Sequence, residues 1–349
     1  MFLRFGKWRR LLSAEARLFA QPKGLLDIPV GLSIAIEGLL KKVPKPMLKE
    51  FVEKLLSFYQ ESCQIRAEDI LHPKPDQDIS AMSTNMQYEY GEGEAMAYVA
   101  SQMPYSVSIA ERVLCELRDF RPQTVLDFGA GPGSALWAMD KLWPHQKDQI
   151  TAIDLSTAML GVLKVLAQSN PRLSSLQVAR VLESETTYDL VMASHVLTEL
   201  PDDAARQQVI SMLWNCTKDA LVLIDRGHPF GYRSILKARE MLLEAGAFIQ
   251  APCPHQLKCP MQGGWCHFTQ RLQPLAFQPK IPGGFLDVKF SYLIARRHSQ
   301  DSSSQLPRLI RPPLKRSGHV IIDVCAKEGQ MQRFTAARSH GKEIYKDAR

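Results

Sequence analysis

The sequence predicts an α/β protein built on a mainly parallel sheet, and three observations carry that expectation. Val125 to Phe128 is an apolar run that turns at Gly129, Gly131 and Gly133 into a segment with Leu136, Trp137 and Met139 at helical spacing, which reads as strand, tight loop and helix. A second apolar run, Gln149 to Ile153, ends in Asp154, and two more follow at Tyr188–Ser194 and Ala220–Asp225. Between the last two lies a helical pattern from Asp203 to Asn215, so strands and helices alternate as they do in βαβ units.

Glycines let a backbone approach a ligand closely and take positive φ, and the free N–H groups at a helix start favour electron-rich groups. A glycine turn alone is weak evidence, because such turns are common. Here Asp154 stands about where an acidic residue meets ribose hydroxyls in a βαβ unit, which points to a nucleotide-like ligand over a purely structural turn. The form Asp127-x-Gly129-x-Gly131-x-Gly133 resembles the first motif of class I S-adenosylmethionine-dependent methyltransferases. Tyr188 to Leu200 resembles that fold's fourth strand and the loop that passes under the cofactor. The resemblance implies a Rossmann-like sheet with S-adenosylmethionine contacts around Asp127, Gly129, Gly131, Gly133 and Asp154; His195, at the end of the fourth strand, could act as a base but is at least as often a cofactor-contact or packing residue at such a position.

At 349 residues and 45% hydrophobic content the chain can bury one substantial core and a smaller one. No apolar run approaches the roughly 20 residues of a membrane span. The formal charge of +7 is unevenly placed: residues 1–50 hold ten Lys and Arg against four Asp and Glu, residues 296–349 hold twelve against five, and the middle is acidic. Two basic ends suit a protein that touches a polyanion with its extremities, with Lys41, Lys42, Lys45, Arg308, Arg311, Lys315, Arg316 and Arg333 as the expected contacts. Residues 1–22 carry Arg4, Lys7, Arg9, Arg10 and Arg17 among Phe2, Phe5, Trp8 and Leu11. This acid-poor, amphipathic start resembles a mitochondrial transit peptide, which places the protein in the mitochondrial matrix; the alternative is an ordinary basic helix on a protein of the bacterial cytoplasm.

Residues 23–120 read as a helical N-terminal domain. Leu32, Ile36, Leu39 and Leu40 recur at helical spacing, as do Leu48, Phe51, Val52, Leu55, Leu56 and Tyr59, with Pro44 and Pro46 between the two sets. A polar stretch from His72 to Asn85 reads as a loop, and helices resume over Glu92–Met103 and Tyr105–Phe120. Residues 121–349 then form the methyltransferase-like domain, with a cysteine-rich insertion at 247–285 and a basic strip at 296–349.

Within the insertion Cys253, Cys259 and Cys266 lie among prolines and glycines, while Cys63, Cys115 and Cys216 sit in helical patterns as core thiols. Clustered cysteines in an irregular loop suit a metal site, because sulfur ligands must converge from backbone that cannot be regular. Zinc, with His255 or His267 as a further ligand, and an iron-sulfur cluster both fit, and disulfides are the competing account. Cys325 closes a late strand, Val320 to Val324.

Pro252-Cys253-Pro254-His255, Cys259-Pro260, Trp265-Cys266-His267-Phe268 and Gly318-His319-Val320 to Cys325, on this core, resemble the methyltransferase-like small-ribosomal-subunit assembly factors of mitochondria, which have bacterial relatives. The resemblance covers about residues 24–346 and takes in Tyr90 to Ala95 and Arg311 to Arg316. It implies a 4Fe-4S cluster held by Cys253, Cys259, Cys266 and Cys325. It also implies binding to ribosomal RNA of the immature small subunit, alongside ribosomal proteins or other assembly factors, and no membrane. One departure is Asp225-Arg226-Gly227 where the family pattern has Glu-Pro-Gly, which puts the geometry of that loop in question. No catalytic constellation emerges: Ser194-His195-Val196-Leu197 stands where amino-methylating enzymes carry Asn-Pro-Pro-Tyr, and Cys253, in the Pro-Cys pair, is better used as a cluster ligand than as a nucleophile. An active ribosomal-RNA methyltransferase and a zinc-stabilised binding module without cofactor are the alternatives.

Overall fold

The computed structural model describes residues 28–63, 89–144, 148–183, 185–261, 264–275, 278, 284–299, 306–310 and 313–340. The proposed transit peptide, the 72–85 loop and Arg311 lie outside the described residues.

Four helices come first: α1 Val30–Leu40, α2 Lys45–Cys63, α3 Glu92–Ser101 and α4 Met103–Leu114. Pro29 precedes the first residue of α1, and Pro104 lies in the first turn of α4, where a missing N–H costs nothing. The sheet follows as β1 Thr124–Phe128, α5 Ser134–Leu142, β2 Gln149–Ile153, α6 Thr157–Ala167, β3 Gln177–Ala179, β4 Tyr188–Ser194, α7 Asp203–Asn215, β5 Thr217–Arg226, α8 Pro229–Glu244, β6 Phe248–Ala251, β7 Phe268–Leu272 and β8 Leu286–Arg296. Side-chain caps start several helices: Ser156 Oγ accepts from the Met159 N–H, Asp202 from Ala205, and His228 Nδ1 from Gly231.

The strand order is β3-β2-β1-β4-β5-β8-β6, with β7 also paired to β8. β1 to β5 are parallel, whereas β8 runs antiparallel between β5 and β6. A parallel sheet whose last-placed strand inserts backwards beside the fifth is the arrangement of the class I methyltransferase fold. Both faces are covered, so the central strands are apolar on both sides. Leu190 and Met192 of β4 face one core with Val222 and Ile224 of β5, and Val191 and Ala193 face the other with Leu221 and Leu223. The first core also takes Leu32, Ile36, Val99, Val107 and Trp137, so the N-terminal helices and one face of the sheet share a single apolar interior.

The chain ends in a second, antiparallel sheet of β9 Arg308–Leu309, β10 Leu314–Arg316, β11 His319–Cys325 and β12 Met331–Ala337. Its small core is Val320, Ile322, Val324 and Ala336. The sequence indicated β11 alone; β9 and β10 are only two and three residues long, and β12, though as long as β11, interrupts its apolar residues with Gln332, Arg333 and Thr335.

Several arginines of the basic 296–349 strip turn inward, which corrects the expectation that Arg308 is a contact for a polyanion. Arg296 pairs with Asp219 at 2.7 Å and lies over the Phe120 ring, Arg297 donates to the Thr217 carbonyl and lies over Trp214, and Arg308 pairs with Glu116. Arg333 is tied to Asp323 in a two-pronged pair, although its side chain is 60% exposed. Lys315 and Arg316 on β10, and Lys41, Lys42 and Lys45 around the start of α2, remain on the surface.

Candidate functional site

The glycine turn sits at the C-terminal end of β1. Gly129, Gly131 and Gly133 have φ of 69°, 54° and 90°, the left-handed region that a side chain disfavours. The N–H groups of Gly129 and Ala130 donate to the Ile153 carbonyl at 2.8 and 2.9 Å, which ties the loop to the end of β2. Asp154 completes that tie: one carboxylate oxygen accepts from the Gly131 N–H and the other from Ser156, both at 2.8 Å. Thus Asp154 braces the glycine loop as well as standing beside it.

Asp127, just before the turn, is buried, and neither of its carboxylate oxygens has a hydrogen-bond partner among the described residues. Burial, and then the charge of Asp154, push its carboxyl up to about 7. His195 is the one non-glycine among the described residues with positive φ, at 63°. Its Nδ1 is buried without a partner, and burial followed by the Arg226 charge lowers its pKa to about 3, which keeps the ring neutral. Strained backbone and unpartnered buried polar atoms gather at functional sites because packing that holds them serves a ligand as well as the fold. Asp127, the three glycines, Asp154 and His195 lie at the C-terminal ends of β1, β2 and β4.

Sequence reasoning missed a second tier next to them. Thr198 donates through N–H and Oγ1 to buried Asp225 at 3.0 and 2.7 Å. The Arg226 guanidinium lies 3.5 Å from the centre of the Tyr59 ring and 3.7 Å from Glu199, which also accepts from the Tyr90 hydroxyl at 3.0 Å. Tyr59 and Tyr90 share a hydrogen bond at 2.8 Å. The departure at 225–227 is thereby explained: arginine in place of proline reaches the aromatic residues of the N-terminal helices, while a Cβ at Gly227 would meet backbone of β8 at 2.4 Å, so the glycine is kept. Isolated charges on either side of a strand end gave no signal of this pairing.

The cysteines form a second centre. Cys253, Cys259 and Cys266 from the loop between β6 and β7, and Cys325 from the end of β11, line one cavity of about 50 Å³, with Tyr232, Arg239 and Arg308. The loop is irregular, so side chains secure it. Gln256 bonds both the N–H and the carbonyl of Ile249, Trp265 Nε1 donates to the Gly227 carbonyl, and Arg239 Nη2 donates to the carbonyls of His255 and Leu257. Burial pushes the Cys325 thiol up to about 12 and those of Cys253 and Cys266 above their ordinary value. No disulfide joins the described cysteines. His255 Nε2 lies 3.3 Å from Cys325 Sγ, outside the cavity lining, and His267 stacks on Trp265. Among the described residues no group of three or more His, Cys, Asp or Glu side chains forms a site for a metal ion.

The family described as mitochondrial small ribosomal subunit Rsm22 matches residues 92–349. The chain belongs to the Rsm22 family. Its relatives include the human mitochondrial ribosome assembly protein METTL17, 31% identical over 75% of this chain and 62% of the relative. They also include the mitochondrial Rsm22-cox11 tandem protein 2 of Schizosaccharomyces pombe, 25% identical over 93% and 50%, and the mitochondrial ribosome assembly protein RSM22 of Saccharomyces cerevisiae, 21% identical over 66% and 60%. The chain spans between half and about three fifths of the length of these relatives. All three are mitochondrial proteins, which supports the mitochondrial placement expected from residues 1–22. Solved structures similar to the chain include a SAM-dependent methyltransferase from Aquifex aeolicus, 17% identical with a TM-score of 0.39 over 60% of this chain and all of that one. Another is an O-methyltransferase family protein from Burkholderia thailandensis, 12% identical with a TM-score of 0.43 over 72% of each. For this Rsm22-family chain the fold assignment stands on its own strand order.

Proposed function

We propose that this Rsm22-family protein is an assembly factor for the mitochondrial small ribosomal subunit that binds S-adenosylmethionine and a 4Fe-4S cluster and associates with ribosomal RNA. Family membership supports the assembly role, and one observation supports the cluster: four thiols, three from one loop and one from the end of β11, line one cavity. A single zinc ion needs ligands converging to about 2.3 Å from one centre. A multi-atom cluster needs thiols around a volume, and Cys253, Cys259, Cys266 and Cys325 line a cavity of about 50 Å³. Bound there, the cluster would supply a crosslink between the 252–267 loop and β11, and metal binding that requires the folded arrangement adds to stability.

The cradle fits S-adenosylmethionine through unpartnered Asp127 and the open face of Gly131, where a Cβ would meet nothing within 4 Å. Bound there, the cofactor would offer a methyl group, yet the chain's own residues favour binding over transfer. Arg226, Tyr59, Tyr90 and Glu199 occupy the ends of β4 and β5 beside the cradle, and neutral His195 offers no second carboxylate or amide to hold an acceptor nitrogen. RNA association falls to the exposed cations, Lys41, Lys42, Lys45, Lys315 and Arg316, as a salt-dependent contact.

Anaerobic purification with iron and sulfide analysis, followed by sedimentation with mitochondrial small-subunit precursors, tests this reading. Brown protein with about four irons per chain, reduced alike in the four single Cys→Ser variants, is the expected result. Colourless protein with stoichiometric zinc would sink the cluster assignment. Label transfer from methyl-labelled S-adenosylmethionine to precursor RNA, abolished in an Asp127→Ala variant, would establish the methyltransferase reading instead.

A further inference from the structure

The cysteine cavity holds two buried arginines, and they are not alike. Each Arg308 nitrogen has an acceptor: Nη1 and Nη2 donate to Glu116 at 2.8 and 3.1 Å, and Nε donates to the Pro252 carbonyl at 3.1 Å. Arg239, from the middle of α8, is 2% exposed. Its Nη2 is used on the His255 and Leu257 carbonyls, between Cys253 and Cys259, but Nε and Nη1 have no acceptor among the described residues. A guanidinium stays protonated in a protein, so a buried one without an anion is costly. Among the described residues no carboxylate lines this cavity; its acidic groups are the four cysteine thiols and the phenols of Tyr232 and Tyr292.

We propose that Arg239 is the residue that compensates the negative charge of the loaded cavity, donating its free Nε and Nη1 hydrogens to sulfur at the Cys253 side of the site. The inference rests on the cluster reading above. Four thiolates around an iron-sulfur core leave a net negative charge that grows on reduction, and hydrogen bonds and charge near the sulfurs set how readily that charge is carried. Arg308 is engaged by Glu116, which it shares with Arg112, and its Nε, Nη1 and Nη2 already have acceptors. Arg239 brings an uncompensated positive charge and two directed donors to the same wall. Arg239 lines the same cavity as Cys253. The residue thus has two separable roles: Nη2 holds the loop carbonyls, and the other two nitrogens face the ligand sulfurs.

Arg239→Gln and Arg239→Lys separate them, measured on anaerobically prepared full chain. Iron and sulfide content reports loading, and a spectroelectrochemical titration reports the midpoint potential. Arg239→Gln is expected to keep its iron but to lose the reduced form at least tenfold at a fixed potential, a downward shift of about 59 mV or more for one electron. Arg239→Lys, which keeps the charge, is expected to shift less. Should Arg239→Gln lose iron while Arg239→Lys retains it, charge compensation is likewise supported. Full iron with an unchanged potential in Arg239→Gln overturns the proposal and leaves the cluster reading intact. Loss of iron from both variants with unaltered far-ultraviolet circular dichroism overturns it too, since holding the loop carbonyls would then be the whole role. Wild-type protein without iron removes the cluster reading itself, and the proposal with it.

Discussion

Glu116→Gln isolates the buried ion pair that ties the C-terminal sheet to the rest of the fold. The Glu116 side chain is 5% exposed and Arg308 11%, and the carboxylate also accepts from Tyr292 at 3.1 Å and from Arg112 at 3.4 Å. Burial alone would raise the Glu116 carboxyl, but the Arg308 guanidinium, with help from Arg112 and Tyr292, holds it below its ordinary value of 4.5. Glutamine keeps the volume and removes the charge, which strands Arg308. Breaking a buried pair from one side costs about 3–5 kcal/mol, in line with losing two charge-assisted hydrogen bonds at roughly 1.5–3 kcal/mol each. Urea unfolding at pH 7 should show that loss, and Glu116→Gln/Arg308→Met should be less destabilised than the sum of the single variants. Because the folded carboxyl is lowered, its contribution is present above the unfolded value and lost as pH falls through the folded one. The gap between wild type and Glu116→Gln should therefore close below about pH 4. A loss under about 1 kcal/mol at pH 7, the size of a surface pair, would refute the reasoning.

Three further outcomes follow from named residues. Asp127 is held up to about 7, so the folded state keeps a proton that the unfolded chain releases above its ordinary 3.8; stability should fall as pH rises through that window. Asp127→Asn should then be more stable than wild type at pH 8, by about 2–4 kcal/mol, while binding S-adenosylmethionine more weakly; equal urea midpoints at pH 8 would exclude this. Gly131→Val should abolish S-adenosylmethionine binding in calorimetry and cost about 1–2 kcal/mol through its positive φ alone, since its Cβ meets open space, whereas Gly129→Val should destabilise the fold further because its Cβ would also lie 2.4 Å from Val196 Cγ2. Retained affinity in Gly131→Val would remove the cradle assignment. Lys315→Glu/Arg316→Glu should weaken ribosomal RNA binding and flatten its salt dependence, and an unchanged salt slope would move the contact to Lys41, Lys42 and Lys45.

The sequence by itself determined the elements whose signals are local. Hydrophobic runs bounded by glycine or charge marked β1, β2, β4 and β5, periodicity marked α1 to α4 and α7, and the left-handed glycines announced the turn, because each depends on residues within a few positions. The density of cysteine and proline likewise marked the 252–267 loop. Only the tertiary structure decided which distant groups meet. Cys325 reaches the cavity 59 residues after Cys266 because β11 pairs with β9 at Arg308, which the Glu116 pair pins beside Pro252. Arg308 and Arg296 fall in the stretch read as a basic strip, and Arg239 and Arg226 carried no signal of a partner, yet each is drawn inward by an acceptor or ring on another element: Glu116, Asp219, the His255 carbonyl and Tyr59. Periodicity records how apolar a face is. It carries no information on which buried charge finds which partner, since that depends on strand order, and the reversed entry of β8 between β5 and β6 is set by packing across the whole sheet.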